Sequence, residues 1–382
     1  MNNRERDLKK YIEIFFLIIL SVGPFSPAVK IVIYCGVLLM SFKHVATLRK
    51  IKWLNFALIC SMIIPMILDI RNVDSTTPYS LASFAFLAPF IFSLVYIQEF
   101  KKPEFLAKLE QIIFVLTIIS IIGFLIVLFM PSIIERFPTV IYYGRRVNTI
   151  GIYGAIRDYT KVNFLLRNCG LAFEPGAFQF IPNLGLAILV SNNERNKDWR
   201  YWIKVFTYAI AVMSTYSTTG MVILSLLLLI SSFSNRRQFI LMLLVVAILS
   251  SALLTSFQYQ KEKLQSGNFE ARFERTVYVF HNFSDNILGL GSTGYDKIYN
   301  ENQMIGSWDT FTNMYLRFGL FFTFFLFFMC LRLCRISIYI CITVMLTLLT
   351  ESLIGPVVVM LFYYSGQTTS EKKLGFSKRY KR

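Results

Sequence analysis

Histidine occurs only twice in 382 residues, as His44 and His281, and charged residues make up only 16% of the chain. That scarcity argues against a clustered metal centre. Cys330 and Cys334 lie one helical turn apart, but without the His or Cys partners nearby that a zinc site needs. The six cysteines fall mostly inside apolar runs, and Cys169 alone sits in an expected extracytoplasmic loop, so no disulfide is expected. No internal repeat is visible, which counts against an inverted-repeat transporter. The opening "MNNRERDLKKYIEIFFLIIL" lacks a small-residue cleavage site and reads as a retained first span with its basic end in the cytoplasm. Basic motifs interleaved with aromatics, as nucleic-acid binders carry, are missing too.

What the chain does have is apolar length. Hydrophobic residues make up 55% and aromatics 16%, against about 45–50% apolar in soluble domains. This composition predicts an all-α, polytopic integral membrane helix bundle occupying 1–382 as one domain. Hydropathy runs at 11–24, 28–42, 53–69, 79–98, 110–130, 173–191, 202–216, 219–233, 238–256, 311–331, 336–350 and 355–367 suggest about twelve helices, several shorter than the ideal of about 20 residues. The turns "GPFSP" and "ESLIGP" fit either tight hairpins or single broken helices.

The net charge of +17 has a membrane explanation. With the N-terminus inside, Lys and Arg number 25 on the cytoplasmic side and 14 on the other, as the positive-inside rule requires. The basic tail at 368–382 is then cytoplasmic as well. Two outer segments, 131–172 and 257–310, are long, rich in aromatics and glycine, and expected to be ordered loops containing short helices.

The first of these carries Arg145, Arg146, Arg157, Lys161 and Arg167 against Asp158, with Glu174 just beyond it. Guanidinium forks grip phosphate oxygens in pairs, so a cluster beside a bilayer suits a lipid diphosphate. Arginines snorkelling at an interface would look the same. In "RNCGLAFEPGAF", Glu174 precedes Pro175 at the start of a span. It either caps that helix or, partly desolvated, accepts a proton from an incoming hydroxyl.

In the second segment, Phe269, Phe273, Val277 and Phe280 recur at helical spacing and predict an amphipathic helix against the membrane. Arg272 and Arg275 lie one turn apart on it, with Glu270 and Glu274 in pairing range. "GLGSTGYD" follows, a glycine turn that permits close backbone approach to a ligand but lacks the Lys-Ser/Thr of a phosphate loop. His281 is the one outer histidine, with nothing beside it to form a dyad.

Arg317 falls inside a span and calls for a partner or a wet cavity, with Asp309, Glu351 and Glu174 as acidic neighbours at outer span ends. "STYSTTGM" separates two spans, where its hydroxyls can bond between helices or to a sugar.

Taken in order, "RNCGLAFEPGAF", "STYSTTGM", "RFERTVYVF…NILGLGSTGYD" and "TNMYLRFGLFF" resemble the O-antigen polymerase (Wzy-type) family, within the wider group that includes the O-antigen ligases. The resemblance covers about 140–330, with the flanking helices alike only in hydropathy. It implies a metal-independent glycosyltransferase with no cofactor, in the bacterial inner membrane with its active site facing the periplasm. The substrate would be an oligosaccharide repeat unit on undecaprenyl diphosphate, and a chain-length regulator is a compatible partner.

Arg167 and Glu174 carry over through the first motif, and Arg272 or Arg275 through the third. Ligases of the group have a histidine just before the asparagine that opens the span after the large loop. Here that position reads "SWDTFTN", which argues against a lipid A-core ligase. Glu174, Asp309 and His281 are the candidate bases, and Arg145, Arg146, Arg157, Arg167, Arg272, Arg275 and Arg317 the candidate substrate-binding residues. A flippase or transporter of the same lipid-linked sugars, a related ligase, and a membrane scaffold or sensor are the competing readings.

Overall fold

The structure is a computed structural model that describes residues 3–23, 32–33, 93, 100–142, 145–159, 164–192, 198–232, 287–290, 309–351, 353 and 355–366. The expected spans at 28–42, 53–69, 79–98 and 238–256 lie wholly or almost wholly outside these residues, as do the amphipathic helix at 269–280, Arg272, Arg275, His281 and the basic tail.

The described residues are mostly helical. Their helices are α1 (Asn3–Val22), α2 (Lys102–Phe129), α3 (Pro175–Phe178), α4 (Phe180–Asn192), α5 (Trp199–Ser214), α6 (Thr218–Ser232), α7 (Thr310–Arg332), α8 (Ile338–Thr350) and α9 (Pro356–Gly366). Each expected span that falls on described residues meets one of them. Among the described residues two helices are long and apolar enough to cross a membrane: α2, and α7 with its 3-10 extension to Arg335. Both ends of α2 are set by sequence: a proline in its first turn with Glu104 beside it, and Pro131 just past its cap at Met130.

One end of the bundle is charged. Lys108 pairs with Asp7 at 3.1 Å and Lys10 with Glu104 at 2.6 Å, so α1 and α2 start side by side. Deeper in, the Lys204 ammonium donates to both oxygens of Glu110 at 3.1 and 2.9 Å, and the Tyr208 hydroxyl donates to Glu110 Oε1 at 2.8 Å, joining α2 to α5. The C-terminal part of α9 returns here, where Tyr364 donates to the Phe100 carbonyl at 3.0 Å.

At the centre is α4, whose residues from Phe180 to Val190 are all buried. A helix that is apolar all round is stable only when surrounded, and α2, α5, α6 and α8 pack around it.

The opposite end corrects one expectation. The sequence predicts a loop with short helices at 131–172. That segment holds a 3-10 turn (Pro131–Arg136) and four strands, β1 (Thr139–Tyr142), β2 (Arg145–Thr149), β3 (Gly154–Tyr159) and β4 (Phe164–Gly170), in one antiparallel sheet of order 1-2-3-4. The fold is therefore not purely α. Runs such as "TVIY" and "RRVNT", rich in β-branched and aromatic residues, favour strands, and the turn at 150–153 between β2 and β3 is short enough for a hairpin. The sheet rests on the far end of α2 through a small core of Val127, Ile134, Tyr153 and Ala155. A side chain at Gly123 would collide with the Tyr153 ring at 2.7 Å, so glycine lets the ring lie against the helix.

The helix α7 is interrupted at Gly319 (φ 80°, ψ −176°), separating Thr310–Phe318 from the remainder. The Leu290 amide donates to the Leu316 carbonyl at 2.7 Å and the Leu320 amide to the Ile287 carbonyl at 2.9 Å, so residues 287–290 fill the break.

Candidate functional site

At the sheet end, β4 brings Arg167 and Asn168 into the bundle. Arg167 is 9% exposed, and its Nε donates to the Thr215 carbonyl at 3.0 Å. Thr215 caps α5 inside "STYSTTGM", so one bond ties the first arginine motif to the hydroxyl-rich turn. Fully buried Asn168 donates through Nδ2 to Ser214 Oγ at 2.9 Å and to Ser120 Oγ at 3.4 Å, while its Oδ1 accepts from the Gly170 amide at 2.8 Å. Sequence reasoning passed over Asn168, although an amide between an arginine and a Cys-Gly pair was the one signal available.

The chain then turns across the bundle. The Phe173 amide donates to the Val22 carbonyl at the end of α1, and Glu174 follows, 5% exposed. Its backbone is extended (φ −153°, ψ 158°), Pro175 opens the one-turn α3, and the Glu174 side chain makes no capping bond to that helix. Of the two readings of Glu174, capping is therefore not what the carboxylate does.

Glu351, 6% exposed at the end of α8, comes to the same turn. A Cβ built on Gly176 would lie 2.1 Å from Glu351 Oε1. Glycine in "EPG" thus leaves the space that the second carboxylate occupies. Glu351 also ties α8 to α7, because Thr310 Oγ1 donates to the Glu351 carbonyl at 2.6 Å and accepts from the Leu353 amide at 3.0 Å.

Asp309 has an architectural assignment. It is the N-cap of α7: its Oδ1 accepts from the Thr312 amide at 2.9 Å and its Oδ2 from the Thr312 hydroxyl at 2.6 Å. Both oxygens are engaged, as a helix cap requires. That ranks it behind Glu174 as a base.

Arg317 is half-buried in the last turn before the break in α7. A cation at a helix C-terminus is favoured by the helix dipole, which gives this residue a structural role independent of any ligand. Gly289, from the glycine turn thought to approach a ligand, approaches Gly319 instead.

The remaining arginines are spread along the sheet. Arg145 pairs with Tyr142, Arg146 with Ile141 and Arg157 with Leu166. Arg145 and Arg146 are consecutive on β2, and Arg157 lies on β3. The arginine of this group whose side chain is described at the bundle is Arg167.

A polar seam joins α4 to the first turn of α6. Asn183 Nδ2 donates to Gln179 Oε1 at 2.8 Å and to the Gly220 carbonyl at 3.1 Å, and both side chains are fully buried. Among the described residues no group of three or more His, Cys, Asp or Glu side chains could hold a metal ion. Comparison with known proteins finds no matching family model, curated protein or solved structure.

Proposed function

We propose that the chain is an O-antigen or surface-polysaccharide polymerase of the Wzy type, embedded in the bacterial inner membrane. It would transfer a glycan chain from undecaprenyl diphosphate onto another lipid-linked repeat unit at the outer face. The observation that carries this reading is the Arg167–Thr215 bond. It draws two of the motifs behind the family resemblance together, on the side of the bundle where Glu174 and Glu351 are buried.

The chemistry follows from those groups. An acceptor sugar hydroxyl attacks the anomeric carbon of the donor, forming the new glycosidic C–O bond. The bond from that carbon to the diphosphate breaks, and undecaprenyl diphosphate leaves with the electron pair. Glu174 takes the hydroxyl proton, a transfer worth about 10²–10⁴-fold in rate when positioned. Arg167 stabilises the charge developing on the diphosphate, the role that preorganised donors fill in a water-poor site.

The test is purified full-length protein mixed with lipid-diphosphate-linked repeat units. A ladder of products supports polymerisation, and its absence from folded protein argues for another reading. The break in α7 gives a flippase of the same lipid-linked sugars some standing, because discontinuous helices line transporter sites. The two separate in cells: loss of a polymerase leaves one repeat unit capping the surface lipid, and loss of a flippase leaves none.

A further inference from the structure

We propose that the tip of the β2–β3 hairpin, Ile150-Gly151-Ile152, dips into the acyl chains of phospholipids in the outer leaflet. The inference rests on the membrane reading above and adds a contact surface to it.

Depth along α2 can be read from charge. Gln111 to Met130 is a run of 20 residues without a charged side chain, bounded by Lys108 and Glu110 on one side and Glu135 and Arg136 on the other. At 1.5 Å per residue it is about 30 Å long, the thickness of a bilayer's hydrocarbon core. The neighbouring α5 ends at Ser214, which Asn168 links to Ser120 of α2. The last turns of α2 therefore rise past the end of α5, and the sheet stands beside them.

Within the sheet the hairpin runs down that depth scale. Asn148 Nδ2 donates to the Ile134 carbonyl at 2.8 Å, close to the charged rim. Five residues later the Tyr153 ring lies against Gly123, about 10 Å below Met130 on the same helix. The tip between them is thus carried to the level at which α2 exposes Ile122, Leu125 and Ile126.

The tip is built for that place. Ile150 and Ile152 are 52% and 45% exposed, large apolar side chains on a turn that water would ordinarily surround. From Val147 to Ile156 there is no charged residue, while Arg145, Arg146, Arg157 and Asp158 all stand toward the other end of the two strands. Leaving water costs less for backbone groups that are bonded internally, and two amides of the tip are. The Ile150 amide donates to the Tyr153 carbonyl at 2.9 Å and the Gly151 amide to Thr149 Oγ1 at 3.0 Å. An anchored tip would fix the depth of the sheet, and with it the strand that presents Arg167.

The experiment places a benzophenone amino acid singly at positions 150, 152, 115 and 135 of the full chain, irradiates native membrane vesicles, and weighs the tryptic peptides. Size exclusion of each purified variant checks that it has folded. Position 115 lies on the exposed apolar face of α2, and position 135 is the exposed glutamate past its end. The expected result is a mass gain of one phospholipid at 150, 152 and 115 and none at 135. Lipid adducts at 115 but not at 150 or 152 would overturn the insertion while leaving the membrane reading intact. No adduct at 115 either would remove both. Cross-links from 150 or 152 to a second copy of the chain, or adducts of polyprenyl mass, would overturn the phospholipid assignment.

Discussion

Gly289 and Gly319 meet backbone to backbone. A Cβ on Gly319 would lie 2.2 Å from the Ile287 carbonyl oxygen, and one on Gly289 would lie 2.5 Å from the Gly319 amide nitrogen. Both residues have positive φ, 81° and 80°. An apolar helix is broken at one point, and a distant segment supplies the hydrogen bonds that the break releases.

Gly319→Ala should therefore destabilise the protein strongly. The φ/ψ region alone costs about 1–3 kcal/mol for a side-chain-bearing residue, and the backbone clash adds to it. Gly151→Ala is the control, with φ +87° but nothing within 4 Å of its Cβ, and should cost about 1 kcal/mol. Thermal unfolding in detergent should order the two this way; equal losses would contradict the account of the break.

Gly176→Ala should displace the Glu351 carboxylate and reduce product formation. Shortening the acid in the double variant Gly176→Ala/Glu351→Ala should recover the unfolding temperature lost by Gly176→Ala. A double-mutant cycle reads the coupling as a deviation from additivity of about 0.5 kcal/mol or more. Strict additivity would show that the two residues do not share this space.

The candidate bases separate by conservative replacement. Glu174→Gln should abolish polymer at unchanged protein level, because an amide cannot take the hydroxyl proton. Asp309→Asn should keep both activity and stability, since asparagine caps helices about as well as aspartate. Product ladders from the two variants decide, and the reverse pattern would make Asp309 the base.

Arg167→Lys removes the Nε donor and the planar fork. It should lower polymer yield at least ten-fold while the protein still accumulates, because lysine does not reproduce paired contacts to phosphate. Full-length polymer from this variant would remove Arg167 from the chemistry.

At the charged end, Glu110→Ala takes away the shared partner of Lys204 and Tyr208. Stranding groups after breaking a buried ion pair costs about 3–5 kcal/mol. Lys204 retains 28% side-chain exposure, so the solvent-screened expectation is about 1–3 kcal/mol. Lys204→Met strands the less exposed Glu110 carboxylate, 9% against 28%, with the Tyr208 hydroxyl alone, and should cost at least as much. Unfolding temperatures of the two variants test the order.

Much of the helical scaffold could be read from hydropathy. The runs at 110–130, 202–216, 219–233, 311–331, 336–350 and 355–367 each correspond to a helix, since apolar length and proline or glycine punctuation are local properties. The sheet was missed because its strands are short, four to seven residues, and its apolar residues face a small core against the end of α2 that exists only after folding. At the candidate site, Arg167 and Glu174 were legible as charges at an apolar threshold. Asn168 and the approach of Glu351 to Gly176 were not, since their partners lie 46 residues away in one case and 175 in the other.

By itself the sequence determined where the long apolar helices run, because burying or solvating a run of twenty side chains leaves little choice of environment. The tertiary structure decided which polar groups meet: Arg167 with the Thr215 carbonyl, Glu351 with the space at Gly176, and Gly289 with the gap at Gly319. Those pairings depend on where rigid elements dock and on which glycine leaves room, and neither is a property of any short stretch of chain.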